Sequence, residues 1–231
     1  MGTVRSNGGK RLISLRARAV LFDMDGVLVN SKPAIDRVRI KWAERHGLDV
    51  QEVLDLPHGQ KTSVAFANIA PHLNMKEEVA WLDAEEARDL SGITAIPGAA
   101  QLLGALSPSE WALVTSSGSD LAPQRLAAAG LPAPETMVAG DSVTRSKPDP
   151  EGYLRGATLL GCRPDECVVF EDAPAGIAAG IAAGIRVIGV ATTYDRADLS
   201  GLGCAAIVDD LRDVTVERGA TGLTLVLQTR D

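Results

Sequence analysis

The sequence predicts an α/β fold: a parallel sheet with helices on both faces, plus a helical cap inserted after the first strand. Three observations carry this. Short apolar, β-rich runs recur at 19–22, 111–115, 136–139, 167–170, 187–190 and 206–208. Helical stretches at 99–106, 121–129, 150–160 and 175–183 alternate with them, and alternation with short connections argues for a parallel sheet. One interval, 32–95, breaks the pattern and holds no convincing strand.

Taken in order, residues 1–17 are Gly-rich and basic (Lys10, Arg11, Arg16) and lack the apolar region of a signal peptide, so they read as a disordered leader. Gly2 with Ser6 formally fits a myristoylation pattern, but the pattern is short and one acyl chain binds membranes only marginally. The catalytic core is expected over 18–31 and 96–231, and the helical cap over 32–95. Within the cap, 33–46, 63–69 and 76–90 carry helical apolar spacing. Pro97-Gly98 restarts the strand–helix alternation, with proline at a helix start. Gly130 and Gly184 follow their helices where a C-cap glycine belongs. The Ala/Gly repeat at 175–184 predicts a helix whose small-residue face lies close to the sheet. The tail, 213–216 and 223–228 around a turn near Gly219, alternates like a β-hairpin.

Composition excludes several functions. The chain has 231 residues, 45% hydrophobic, 23% charged and 3% aromatic, as expected of a globular domain with a core of Ala, Val, Leu and Ile. A net charge of -7 gives no long-range attraction for nucleic acid or an anionic membrane. Cys162, Cys167 and Cys204 show no CxxC spacing and read as structural thiols of a reducing compartment, so a cytoplasmic location is expected. No apolar run reaches the roughly eighteen residues that suggest a membrane span.

The chemistry-bearing residues stand at strand ends. Asp23 and Asp25 end the first apolar run at i and i+2 spacing and are followed by Gly26. Carboxylates beyond the carboxyl end of a buried strand sit where open α/β sheets bind ligands. Two acids so close repel each other unless a cation or a shared proton intervenes, and a hard cation such as Mg2+, held by oxygen ligands, is the simplest relief. Thr115-Ser116 ends the second run with a hydroxyl and with small residues whose backbone N–H groups can bind phosphate oxygens. Lys147 lies in a loop with Pro148 and Pro150. Glu171-Asp172 ends another strand in paired acids. A parallel sheet brings these ends to one edge, and an insert entering after Asp23 is placed to close over them as a lid.

The order DxDG, strand-Thr/Ser, Lys-Pro and Glu-Asp resembles the haloacid dehalogenase (HAD) phosphotransferases, with their Rossmann-like core, from Val20 to about Val208. The segments His58-Gly59-Gln60-Lys61-Thr62, Lys147-Pro148-Asp149-Pro150-Glu151-Gly152-Tyr153 and Glu171-Asp172-Ala173-Pro174-Ala175-Gly176 resemble the sugar-phosphatase branch, which includes 2-deoxyglucose-6-phosphate and glycerol-3-phosphate phosphatases. The resemblance implies Mg2+-dependent hydrolysis of a small sugar or polyol phosphate through an aspartyl-phosphate, by a monomer or homodimer. It implies that Asp23 is the nucleophile, and that Asp25 protonates the leaving alkoxide and then activates water. Thr115 and Ser116 hold the phosphoryl oxygens, and Lys147 neutralises charge. Asp23, Glu171 and Asp172, with the Asp25 carbonyl, hold the metal. His58 and Lys61 meet the substrate. Two positions depart from the family pattern: Asn30 stands where an acid before Ser or Thr is usual, and Val27 where Thr is common. A phosphomutase of the β-phosphoglucomutase kind shares all four motifs and is the alternative, with a phosphatase favoured by the His58–Thr62 segment. Dehalogenase chemistry has no use for Asp25 and the acid pair. A non-catalytic HAD-like binding protein would be expected to lack Asp23, Asp25 or Asp172.

Overall fold

The computed structural model describes residues 3–7, 10–57, 62–219 and 222–230. Its centre is a parallel sheet of six strands in the order β10-β9-β8-β3-β6-β7. These are β3 (Ala19–Phe22), β6 (Trp111–Val114), β7 (Met137–Val138), β8 (Cys167–Glu171), β9 (Arg186–Val190) and β10 (Ala206–Val208). Every residue of β3, β6 and β8 is buried. A strand covered on both faces needs a continuous apolar run rather than alternation, which is what these segments supply. In register, Phe22 lies beside both Leu113 and Phe170, so the three central strands end at the same level.

Helices α5 (Ala99–Gly104), α6 (Leu121–Ala128), α7 (Glu151–Leu159), α8 (Pro174–Ala182) and α9 (Arg196–Leu199) connect these strands. Two apolar clusters fill the faces. One contains Phe22, Trp111 and Phe170; the other contains Leu21, Val114, Tyr153, Val169 and Ile177. The Phe22 and Phe170 rings stack at 5.1 Å between centroids. The small-residue face of α8 lies close to the sheet as its composition predicts: a Cβ on Gly180 would stand 2.6 Å from Val187 Cγ2.

Between the short strands β4 (Val29–Asn30) and β5 (Thr94–Ala95) run α1 (Lys32–His46), α2 (Val50–Leu54), α3 (Thr62–Ile69) and α4 (Met75–Arg88). The five-residue α2, capped by the Asp49 side chain, lies between the helices read from the sequence and was not among them. The four share an apolar cluster of their own around Val38, Trp42, Val53, Phe66 and Leu82. Trp42 packs edge-on to Phe66 at 4.4 Å, and its Nε1 donates to Glu78 Oε2 at 2.8 Å.

The tail forms the expected hairpin, β11 (Val214–Gly219) with β12 (Gly222–Arg230). The expectation of a disordered leader is corrected for the described residues 3–7 and 10–17. Strands β1 (Thr3–Asn7) and β2 (Lys10–Ala17) join the hairpin in an antiparallel sheet ordered β1-β2-β12-β11. The physical reason is alternation: Leu15 and Ala17 are buried in the Phe22 cluster beside Leu225 and Leu227, while Arg16 between them is exposed.

Candidate active site

The common level of the central strands sets the site. Asp23 follows β3 directly and its N–H donates to Phe170 O at 3.1 Å, continuing the ladder by one residue. Thr115 follows β6, its N–H bonded to Val138 O at 3.0 Å. Glu171 ends β8, and Asp172 is next. Asp23, Thr115, Lys147, Glu171 and Asp172 are all buried. Gly26 turns the chain back after Asp25 with a φ of +84°, in the left-handed region, where glycine is unstrained. A Cβ there would also come within 1.9 Å of Asp172 Oδ2, so the loop needs glycine twice over.

Lys147 reaches this edge from the loop before α7. That loop is held by Glu151, whose carboxylate accepts from Thr144 N at 2.8 Å and Arg145 N at 3.0 Å. Lys147 Nζ donates to Asp23 Oδ1 at 2.5 Å, Glu171 Oε1 at 2.7 Å and Val114 O at 3.2 Å. Tyr153 OH adds a second donor to Glu171 Oε1 at 2.7 Å, and the N–H groups of Asp172 and Ala173 bond Oε2 at 3.0 and 3.2 Å. Nothing in the sequence reading marked Tyr153 as a partner of Glu171; its signal was only its place two residues after Glu151 in the Lys-Pro segment.

Oxygens of Asp23, Glu171 and Asp172 lie within 4.8 Å of one another, the one such acidic group among the described residues. Burial pushes the Asp23 carboxyl up to about 7, against the opposing pull of Lys147. Burial and the charge of Glu171 push Asp172 well above the usual carboxylate range. Burial alone would lower the Lys147 ammonium, but the charges of Asp23 and Glu171 outweigh it and hold it above its ordinary value. Asp172 Oδ1 is buried without a hydrogen-bond partner. Three oxygen donors short of positive charge, one with an orphaned oxygen, fit a hard divalent cation.

Asp25 points elsewhere. Its carboxylate accepts from Ser31 Oγ at 2.5 Å, from Ser117 Oγ at 3.1 Å and from Arg125 Nη1 at 2.8 and 2.9 Å. Arg125 Nη2 donates to Glu86 Oε2 at 2.8 Å. Sequence reasoning missed Arg125 and Glu86, which belong to no run or spacing that marks them, and Ser117, whose signal was only that it follows Thr115-Ser116. A cavity of about 290 Å³ lies at this edge. Asp23, Asp25, Thr115, Ser116 and Asp172 line it from the strand ends, and Arg39, Phe66, Leu82 and Glu86 from the helical layer. His58 and Lys61 lie outside the described residues.

The family model described as haloacid dehalogenase-like hydrolase matches residues 17–184. The chain belongs to that family. Hexitol phosphatase A of Escherichia coli (strain K12) is 41% identical to this hydrolase over 217 residues, covering 92% of this chain and 100% of its own. Glycerol-1-phosphate phosphohydrolase 2 of Saccharomyces cerevisiae is 38% identical over 216 residues, covering 88% of this chain and 86% of its own. Among solved structures, a HAD family hydrolase from Deinococcus radiodurans R1 with bound phosphate and sodium is 33% identical. It superimposes with a TM-score of 0.65 over 85% of this chain and 92% of its own. The sheet and its flanking helices are thus the HAD core. The cysteines Cys162, Cys167 and Cys204 are unpaired, and among the described residues no helix is long and apolar enough to cross a membrane.

Proposed function

We propose that this hydrolase cleaves a small sugar or polyol phosphate monoester, with Mg2+, through an aspartyl-phosphate on Asp23. One observation carries the reading: Asp23 and Asp172, the latter with an orphaned oxygen, line a cavity large enough for a small phosphate ester, and the buried Lys147 bridges Asp23 to Glu171. The names of the two relatives above support the same substrate class.

Asp23 Oδ attacks phosphorus as the carboxylate, the form that Lys147 at 2.5 Å favours against the effect of burial. Thr115 and Ser116, at the cavity wall, bind the phosphoryl oxygens. Asp25 gives its proton to the departing alkoxide and later takes one from the water that opens the aspartyl-phosphate. Asp23, Glu171 and Asp172, with the Asp25 carbonyl, would hold Mg2+, which offsets charge on the transferring group when bound. Phosphoryl transfer is mainly positioning and charge stabilisation, which a preset Lys147–Asp23 pair supplies. The helical layer closes the cavity from above, with 32–95 as the cap and the rest of 18–231 as the core. Its Arg39, Phe66 and Leu82 meet the sugar or polyol.

Phosphate release from a panel of sugar and polyol phosphates with Mg2+, run beside a sugar phosphomutase assay, tests this. Release from at least one polyol phosphate is expected. Isomerisation of a sugar phosphate without release would replace hydrolysis by mutase chemistry.

A further inference from the structure

Arg125 is the best-buried charged group at the cavity wall that no part of this mechanism uses, its side chain only 3% exposed. It stands on α6 of the core, yet it bridges two other elements. Nη1 bonds both oxygens of Asp25 and also Ser117 Oγ at 2.9 Å. Nη2 bonds Glu86, on α4 of the helical layer. Burial would depress the guanidinium's proton affinity, but the charges of Asp25 and Glu86 more than compensate and raise it. An arginine presents its donors in a rigid planar fork, so fixing one nitrogen on Glu86 fixes where the other can stand.

We propose that Arg125 is a positioning residue: it sets the carboxylate of Asp25 at the cavity wall and is itself registered by Glu86 of α4. Among the described residues, the Asp25 carboxylate is otherwise held by two hydroxyls, Ser31 and Ser117, each on its own oxygen. Hydroxyls rotate and fix distance rather than direction. The single nitrogen contacting both oxygens supplies the direction. Through Glu86, that direction depends on the seating of the helical layer, so proton transfer by Asp25 is coupled to closure over the substrate. This rests on the reading of Asp25 as general acid and base.

The test uses the dependence on leaving group. A polyol alkoxide needs a proton as it departs, whereas p-nitrophenolate does not. The quantity kcat/KM reports formation of the aspartyl-phosphate, and general acid catalysis is worth about 10²–10⁴-fold. Arg125→Ala is expected to lose about a hundredfold in kcat/KM on glycerol phosphate, mostly in kcat, and only severalfold on p-nitrophenyl phosphate. Glu86→Ala is expected to repeat the same selective loss more weakly. The double variant is expected to be no worse than Arg125→Ala, since groups acting as one unit are non-additive. Equal losses on both esters in folded Arg125→Ala would overturn the proposal, making Arg125 part of general phosphate binding. Unchanged selectivity in Glu86→Ala would do the same, and that variant carries the test if Arg125→Ala does not fold. Asp25→Asn serves as the control: if it too shows no preference between the esters, the acid role of Asp25 itself fails, and the proposal with it.

Discussion

Lys147 Nζ lies 2.5 Å from Asp23 Oδ1 while also touching Glu171 Oε1 at 2.7 Å, so one buried cation is shared between two buried carboxylates. Asp23→Asn keeps the shape of the side chain and leaves Lys147 its second partner. The fold should survive and turnover should fall to background. Circular dichroism beside phosphate release checks both halves; a folded variant hydrolysing at the wild-type rate would remove Asp23 as nucleophile.

Replacing the shared cation should behave differently. Lys147→Met keeps the apolar stem but leaves Asp23 and Glu171 buried and unpaired, a loss of about 3–5 kcal/mol in typical cases. Chemical denaturation should show that loss together with loss of activity. A stable variant would mean that the acids are hydrated rather than enclosed.

Divalent metal should be required and should stabilise the fold. At a Mg2+ concentration a hundred times its dissociation constant, linkage predicts about 2.7 kcal/mol. The melting temperature should therefore rise with Mg2+ and fall with chelator, and Asp172→Asn should abolish the rise. Ca2+ should inhibit, since it prefers longer bonds and more ligands. Full activity in excess chelator would rule the metal out.

Gly176 lies in the first turns of α8 with its Cα against the Glu171 carboxylate: a Cβ there would fall 1.7 Å from Oε1. Gly176→Ala must displace Glu171 and the Lys147 and Tyr153 donors on it. A destabilisation of about 1–3 kcal/mol, as for other overpacked sites, should accompany a fall in kcat. Wild-type kcat in this variant would show that Glu171 is free to move.

Glu78 in the helical layer offers a pH test away from the site. Burial would raise its carboxyl, but the bonds from Trp42 Nε1 at 2.8 Å and His46 Nε2 at 2.9 Å prevail and hold it below its ordinary value. A depressed acid contributes stability above its unfolded pKa and loses that contribution as pH falls through its folded one. Glu78→Gln, which keeps an acceptor for Trp42, should melt below wild type at pH 7. The gap should close under acid conditions below the usual carboxylate range. A gap independent of pH would assign the loss to packing.

Much of the site was legible because its parts are local. Each motif is a short apolar run followed at once by its polar residues, and a parallel sheet aligns such ends without further information. The clasp on Asp25 was not legible. Arg125 and Glu86 are separated by thirty-nine residues and meet only because α4 and α6 come together. The leader was misread for a related reason. Leu15 and Ala17 form too short an alternation to stand out among basic residues, and the partner that completes their sheet, β12, lies at the other end of the sequence. Helix α2 escaped because five residues carry little periodicity.

The pairing of Lys10–Ala17 with Leu223–Arg230 also bears on how the molecule is made. During synthesis the nascent chain offers β2 more than two hundred residues before β12 emerges to receive it. Until then Leu15 and Ala17 have no strand beside them on that side, and the face of the sheet around Phe22 and Trp111 stays partly wet. Contacts this distant in sequence carry a large closure entropy and form late. The later strand of this pair therefore latches the earlier one, and a ribosome stalled before residue 223 would display an apolar flank that holdase chaperones recognise.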